Sequence, residues 1–205
     1  MNRLRGLPGR PAYPPMEQKY RYQLEMVRVS SLGVVEAPQI PEGYVLRQLR
    51  NGDERPYYDL FHLAFEDEDR YLETVGRALD GGFFVVEHLV SHELVASCVA
   101  MRGSSSPRHP DSGQLGWLVT DPSHTRRGLG KIVSASATNR LVAEGYRRPF
   151  LGTEDLRIPA LAIYLMQGWR PYIYRDDMES QWRSVYDILG RDFAKNNPLY
   201  TASEE

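Results

Sequence analysis

The chain reads as an α/β protein, of the α+β kind: a mixed central sheet of about six to seven strands with helices on both faces. Three observations predict this. The apolar run Leu115–Val119 leads through a glycine-bearing turn into a helical pattern at Leu129, Ile132, Val133, Ala137, Leu141 and Val142. The same order recurs downstream, where Phe150–Thr153 precedes a helical stretch from Pro159 to Gln167. Ahead of both, two strand-like runs, Phe83–Glu87 and Leu94–Met101, are joined by a tight connection at Val90-Ser91-His92.

The remaining elements follow from local chemistry. Residues 1–15 contain four prolines and two glycines, the composition of a loosely draped lead. Tyr20, Tyr22, Leu24 and Met26 alternate with polar residues, which predicts an extra strand at the sheet edge or one that pairs with a second subunit. Ala37–Gly43 is a linker by its prolines. A first core strand spans Tyr44–Leu49, Asn51–Glu54 is a turn and cap, Asp53–Phe65 a helix, and Arg70–Leu79 a second helix, stopped by Gly81-Gly82. Tyr172–Tyr174 is a further strand, Ser180–Leu189 a last short helix, and Asn196 onward a frayed end. The expected organisation is a lead over residues 1–40, one domain over 41–190 and a tail over 191–205.

The stretch Thr120–Lys131 carries the chemistry. A strand-to-helix turn leaves backbone N–H groups unpaired at the positive end of the helix dipole, a site for phosphate. Gly128 and Gly130 allow close approach, and Arg126, Arg127 and Lys131 add fixed charge. Spacing excludes two common phosphate loops. Lys131 is followed by Ile132 and residue 125 is threonine, so there is no G-x-x-x-x-G-K-[ST]; Val133 stands where G-x-G-x-x-G needs its last glycine.

What is left, a short R-x-G-x-G turn after a strand, resembles the acetyl-CoA pyrophosphate loop of the GNAT superfamily of N-acetyltransferases, with Thr125 where Gln or Arg is usual. The run Pro159-Ala160 to Tyr164, ending in Gly168-Trp169, is similar to that family's second signature, and the resemblance covers about Pro41 to Tyr174. It implies the GNAT fold, acetyl-CoA as co-substrate without a metal, and direct acyl transfer to a primary amine in a ternary complex. It places the donor against Leu118, Val119, Thr120, Arg126, Arg127, Gly128, Leu129, Gly130, Lys131 and Ala160. It makes Tyr164 the general acid for the departing thiolate. Glu154 is the candidate general base, with water relayed to bulk as the alternative, and Asp155 is a candidate helix cap.

Leu151–Ala160 looks nearest to bacterial small-molecule acetyltransferases, including relatives of the mycothiol-synthase group. Acylation of a protein or peptide N-terminus and a non-catalytic CoA-binding role are the alternatives. The acidic run Glu66–Asp69 reads either as a border of the acceptor pocket or as a solvated turn. Arg108 and His109, in a Ser-rich loop, touch substrate or nothing. The acyl pocket is expected near Trp117 and Tyr164.

Composition narrows the setting. A net charge of -2 gives no general pull toward nucleic acid or acidic membranes. No run approaches the ~20 apolar residues of a membrane span. The lone Cys98 forms no internal disulfide and suits a reducing cytoplasm, with a buried apolar role. His88 and His92 have metal-like spacing but fall at a hairpin tip. The expected partners are thus a small-molecule amine, no nucleic acid and no membrane, with homodimerisation open.

Overall fold

The computed structural model describes residues 23–65, 71–193 and 200–201. Its strands are β1 (Leu24–Val27), β2 (Tyr44–Gln48), β3 (Ala78–His88), β4 (Leu94–Met101), β5 (Gln114–Thr120), β6 (Phe150–Thr153), β7 (Arg170–Ile173) and β8 (Tyr200–Thr201). Its α-helices are α1 (Glu54–Phe61), α2 (Tyr71–Arg77), α3 (Leu129–Ala143), α4 (Ile158–Met166) and α5 (Met178–Ile188). One mixed sheet runs β2-β3-β4-β5-β6-β1-β7-β8. The β5–β6 and β7–β8 pairs are parallel and the others antiparallel.

Strand periodicity divides the core in two. Cys98 and Ala100 of β4 face α3, α4 and α5, joining Val133, Leu161 and Trp182. Val99 and Met101 face the other way, joining Tyr57, Leu60 and Phe61 of α1. The helix α3 forms as its apolar spacing predicts, with Leu129, Ile132, Val133, Ala137 and Leu141 buried. Pro159 sits in the first turn of α4, where its missing N–H costs nothing. Gly168, at φ 87°, ends that helix, with the Trp169 N–H donating to the Tyr164 carbonyl at 3.1 Å and the Gly168 N–H to that of Leu165 at 3.3 Å.

Four expectations are revised. The N-terminal strand is not at an edge: β1 lies between β6 and β7, all four of its residues buried. Alternation alone does not tell an edge strand from an interior one, and Tyr20 and Tyr22 lie outside the described residues. The C-terminal segment read as a frayed tail contains β8, which pairs with Tyr172 and Ile173; this brings the strands among the described residues to eight. The helix α2 ends at Arg77, and Gly81-Gly82 lies within β3 at a register shift. A Cβ on Gly82 would stand 2.7 Å from the Ala100 carbonyl oxygen, so the glycine marks a close backbone approach rather than a helix stop. Asp53 makes no cap bond to α1; its carboxylate is held by Arg47 at 2.6 Å and 3.0 Å.

The loop Gly103–Ser112 covers the second face of the sheet beside β1. His109 stacks on Phe150 and meets Tyr172 edge-on. Its anchor is Glu25 of β1, 2% exposed. Ser106 Oγ (2.9 Å), Arg108 Nε (3.0 Å) and Arg108 Nη2 (2.5 Å) donate to that carboxylate, and His109 Nε2 lies 2.9 Å from it. Burial alone would push the Glu25 carboxyl up; the His109 and Arg108 contacts outweigh it and hold the pKa at about 2, against a usual 4.5.

No described helix is long and apolar enough to cross a membrane. His88 and His92 are hydrogen-bonded at the hairpin tip, to Ser91 and Glu87.

A depressed folded-state pKa means that the stabilisation by Glu25 is present above about pH 4.5 and is lost as pH falls through about 2. At ~1.4 kcal/mol per unit this is about 3 kcal/mol. Urea unfolding at a series of pH values should show Glu25→Gln less stable than the parent at pH 6, with the difference shrinking toward pH 2. A difference independent of pH would remove the carboxylate from this role.

Candidate active site

The candidate site opens where two neighbouring strands stop pairing. β5 and β6 are paired only at Gln114–Phe150 and Leu115–Leu151. Beyond that point β5 bulges: its register against β4 shifts between Ser97 and Val99, and Trp117 takes φ 57°. Side chains of β4 serve the carbonyls freed there, Ser97 Oγ donating to Trp117 at 3.3 Å and Cys98 Sγ to Gly116 at 3.5 Å. Cys98 is fully buried, and burial pushes its thiol pKa up, away from nucleophilic use.

The two strands enclose a cavity of about 740 Å³, within the range of small-ligand sites. Leu118 and Thr120 of β5, Glu154 after β6, and Ala160 and Tyr164 of α4 line it. Thr125 and Gly130 stand at one end. Glu25, Arg77, Ser106, Arg108 and Gln114 line it as well, beneath the Gly103–Ser112 loop.

The turn before α3 is built as an anion cradle. Asp121 caps its entry by accepting from the Ser123 N–H at 2.7 Å, and Thr125 Oγ1 donates to the Pro122 carbonyl at 3.1 Å. Arg126 at φ 61° and Gly128 at φ 81° then bend the backbone through left-handed conformations. No backbone N–H from Arg126 to Lys131 donates to another described residue, and the first bond of the helix is Ile132 N–H to Gly128. Such a row of unpaired donors is what a phosphate accepts. A Cβ on Gly130 would lie 3.1 Å from Thr120 Oγ1 and 3.3 Å from Ile163 Cδ1, so any side chain there would crowd β5 and α4, and glycine keeps the helix start close to both.

The expected donor-binding residues thus divide. Leu118, Thr120, Gly130 and Ala160 line the cavity. Arg126 and Arg127 are exposed on the turn. Val119 and Leu129 turn their side chains into the core, at 4% and 1% exposure, so they offer a ligand only backbone. Lys131 is exposed and borders a neighbouring cavity.

Tyr164 is buried, and its hydroxyl makes no hydrogen bond to a described residue. Desolvation raises its pKa, so the phenol stays protonated at neutral pH. Glu154 lies across the cavity wall in an ion pair with Arg157, Nε to Oε2 at 2.8 Å. Arg157 in turn lies over the Phe65 ring. Asp155 is exposed and does not cap α4, whose N-cap position is Arg157. The run Glu66–Asp69 lies outside the described residues.

Sequence reasoning did not single out Glu25, Arg77 or Arg157. Glu25 had one signal, a carboxylate alternating between Leu24 and Met26 in an apolar strand. Arg77 and Arg157 had none, since an arginine at a helix end is ordinary. Of the two residues left open in the Ser-rich loop, Arg108 lines the cavity, while His109 is buried behind it.

Residues 46–169 match the model of the acetyltransferase (GNAT) family. No curated protein sequence matches significantly. Among solved structures, the chain is similar to a GCN5-related N-acetyltransferase from Sphaerobacter thermophilus (17% identity, TM-score 0.50, covering 73% of this chain and 48% of that one). It is also similar to a GCN5-related glucosamine N-acetyltransferase region of a fungal multi-domain β-N-acetylglucosaminidase (14%, 0.56, 83% and 24%). A third is a tandem GNAT protein of the clavulanic acid biosynthesis pathway (16%, 0.56, 81% and 58%). The chain spans less than two thirds of each of these structures, and at such identities they bear on fold alone. The family match covers more than half of the sequence and includes both the anion cradle and the parted strands: the chain belongs to the acetyltransferase (GNAT) family.

Proposed function

We propose that the protein transfers an acetyl group from acetyl-CoA to a primary amine of a small molecule, directly, within a ternary complex. The observation that carries this reading is one cavity that runs from Gly130, in a turn whose backbone donors have no partner among the described residues, to Tyr164, a protonated phenol that has none there either. The residues present fit the donor: the cradle suits a pyrophosphate, and the gap between β5 and β6 suits an extended arm. The donor supplies an acyl group already activated as a thioester.

The chain's own residues do the rest. The edge of β5 from Gly116 onward has no partner in β6, so its backbone is free to pair with the arm and polarise a carbonyl. Tyr164 gives its proton to the leaving sulfur. Glu154, in the same cavity, takes the proton that the amine gives up. The small-molecule acceptor is supported by the loop Gly103–Ser112, which is latched to Glu25 and bounds the cavity. The stretch Leu151–Ala160, with its likeness to bacterial small-molecule acetyltransferases and the mycothiol-synthase group, supports the same class. A lone buried cysteine agrees with work in a reducing cytoplasm.

Two experiments test the reading. Titration calorimetry should show acetyl-CoA binding that Gly130→Val weakens at least about tenfold. A control melting curve separates lost binding from lost folding. No binding by the parent chain removes the donor. In an amine screen read by thiol release, with peptides run alongside small amines, Tyr164→Phe should lower kcat by ~100- to 10,000-fold at unchanged acetyl-CoA affinity. Its hydroxyl makes no hydrogen bond to a described residue, so stability should hardly change; an unaltered kcat would remove Tyr164 from the acid role.

A further inference from the structure

A second cavity, of about 440 Å³, lies between the start of α3, the end of α4 and the segment that follows β1. Ile163 lines both cavities, so they adjoin. The outer wall, around Val35, is pinned to α3: Val35 N–H donates to Asn139 Oδ1 at 2.7 Å, and Asn139 Nδ2 donates back at 2.9 Å.

The cavity is built around an uncompensated cation. Arg28 lines it and is only 2% exposed. Its Nε donates to the Gln167 carbonyl (2.9 Å) and its Nη2 to that of Gly33 (2.7 Å), while Nη1 has no partner among the described residues. No described carboxylate pairs with it, and desolvation is what lowers its pKa. A buried guanidinium without a counter-charge is costly, and an anion relieves that cost. Lys131 and Arg170 also line the cavity, against one acid, the exposed Glu36. Gln167 adds a second unmet group. Its Nε2 is committed to the Lys131 carbonyl (3.0 Å) and Ser134 Oγ (2.8 Å), and Oε1 is a buried acceptor without a donor among the described residues. An unmet cation beside an unmet acceptor matches a phosphate ester with a hydroxyl next to it.

We infer that this cavity is a phosphate-monoester site centred on Arg28, which lies outside the family-matched region. Its nearest source is the 3′-phosphate of the CoA ribose, beside the 2′-hydroxyl, and that choice of source rests on the donor reading above. Free phosphate is the other source of the same chemistry.

The test is calorimetry on the full chain with CoA, 3′-dephospho-CoA and inorganic phosphate, comparing the parent with Arg28→Gln and Val34→Glu. Val34 lines the cavity at 73% exposure, so its variant adds a repelling charge without touching the core. The parent should bind CoA about tenfold or more tighter than dephospho-CoA, and both variants should bring that ratio toward one while leaving dephospho-CoA affinity unchanged. A ratio of one, with inorganic phosphate bound and lost in both variants, supports the site with free phosphate as its ligand. Phosphate binding of that kind without nucleotide binding upholds the site and overturns the donor reading alone. A ratio of one without phosphate binding, or a high ratio retained in both variants, overturns the inference.

Discussion

Everything functional in this fold depends on two parallel strands that pair over two residues and then part. A sheet that stayed paired would satisfy its backbone internally and leave nothing for a ligand to join. The bulge at Trp117 breaks the register of β5 against β4, and Ser97 and Cys98 meet the freed carbonyls from that side. The opposite edge of β5 is left without a strand. The gap exists because its unpaired backbone is supported on one flank and open on the other.

The rest of the molecule keeps that opening from collapsing. The helix α3 begins where β5 ends, and the glycines of its first turn bring unpaired N–H groups to the mouth of the gap. The helix α4 enters after β6 and carries Ala160 and Tyr164 along one wall. The Glu25 carboxylate fixes the Ser-rich loop over the far side. Three separate devices, namely a helix start, a helix face and a buried ion pair, thus converge on a void that no single one of them would hold open.

What could be read from the sequence follows the range of the interactions involved. The anion turn and the capped helix after β6 are local, because glycine at positive φ, proline in a first turn and apolar spacing leave their marks within a few residues. Tyr164 came from the family resemblance that this helix carries and Glu154 from its place at the end of the strand before it, and both line the cavity. Glu25 was not found, because what makes it matter is Arg108 and His109, far along the chain, and nothing in Leu24–Val27 announces them. The place of β1 was missed for the same reason: its alternation is a property of the segment, while its two neighbours are a property of the sheet. The Gly81-Gly82 pair shows the converse, a local signal with two meanings, since the same residues end a helix or let two strands approach closely.

The interior position of β1 also bears on how the chain reaches its native state. All four of its residues pair with β6 on one side and three of them with β7 on the other, both strands drawn from the last third of the sequence. During synthesis this strand leaves the ribosome before both of its neighbours and has no partner in the sheet until β6 and β7 have followed. The sheet can therefore zip locally from β2 to β5 but cannot be completed except by closing its longest loops, the slow kind of contact in folding. Until then four apolar-rich residues with unpaired edges stay open to solvent and to other chains, so β1 is made well before it is protected.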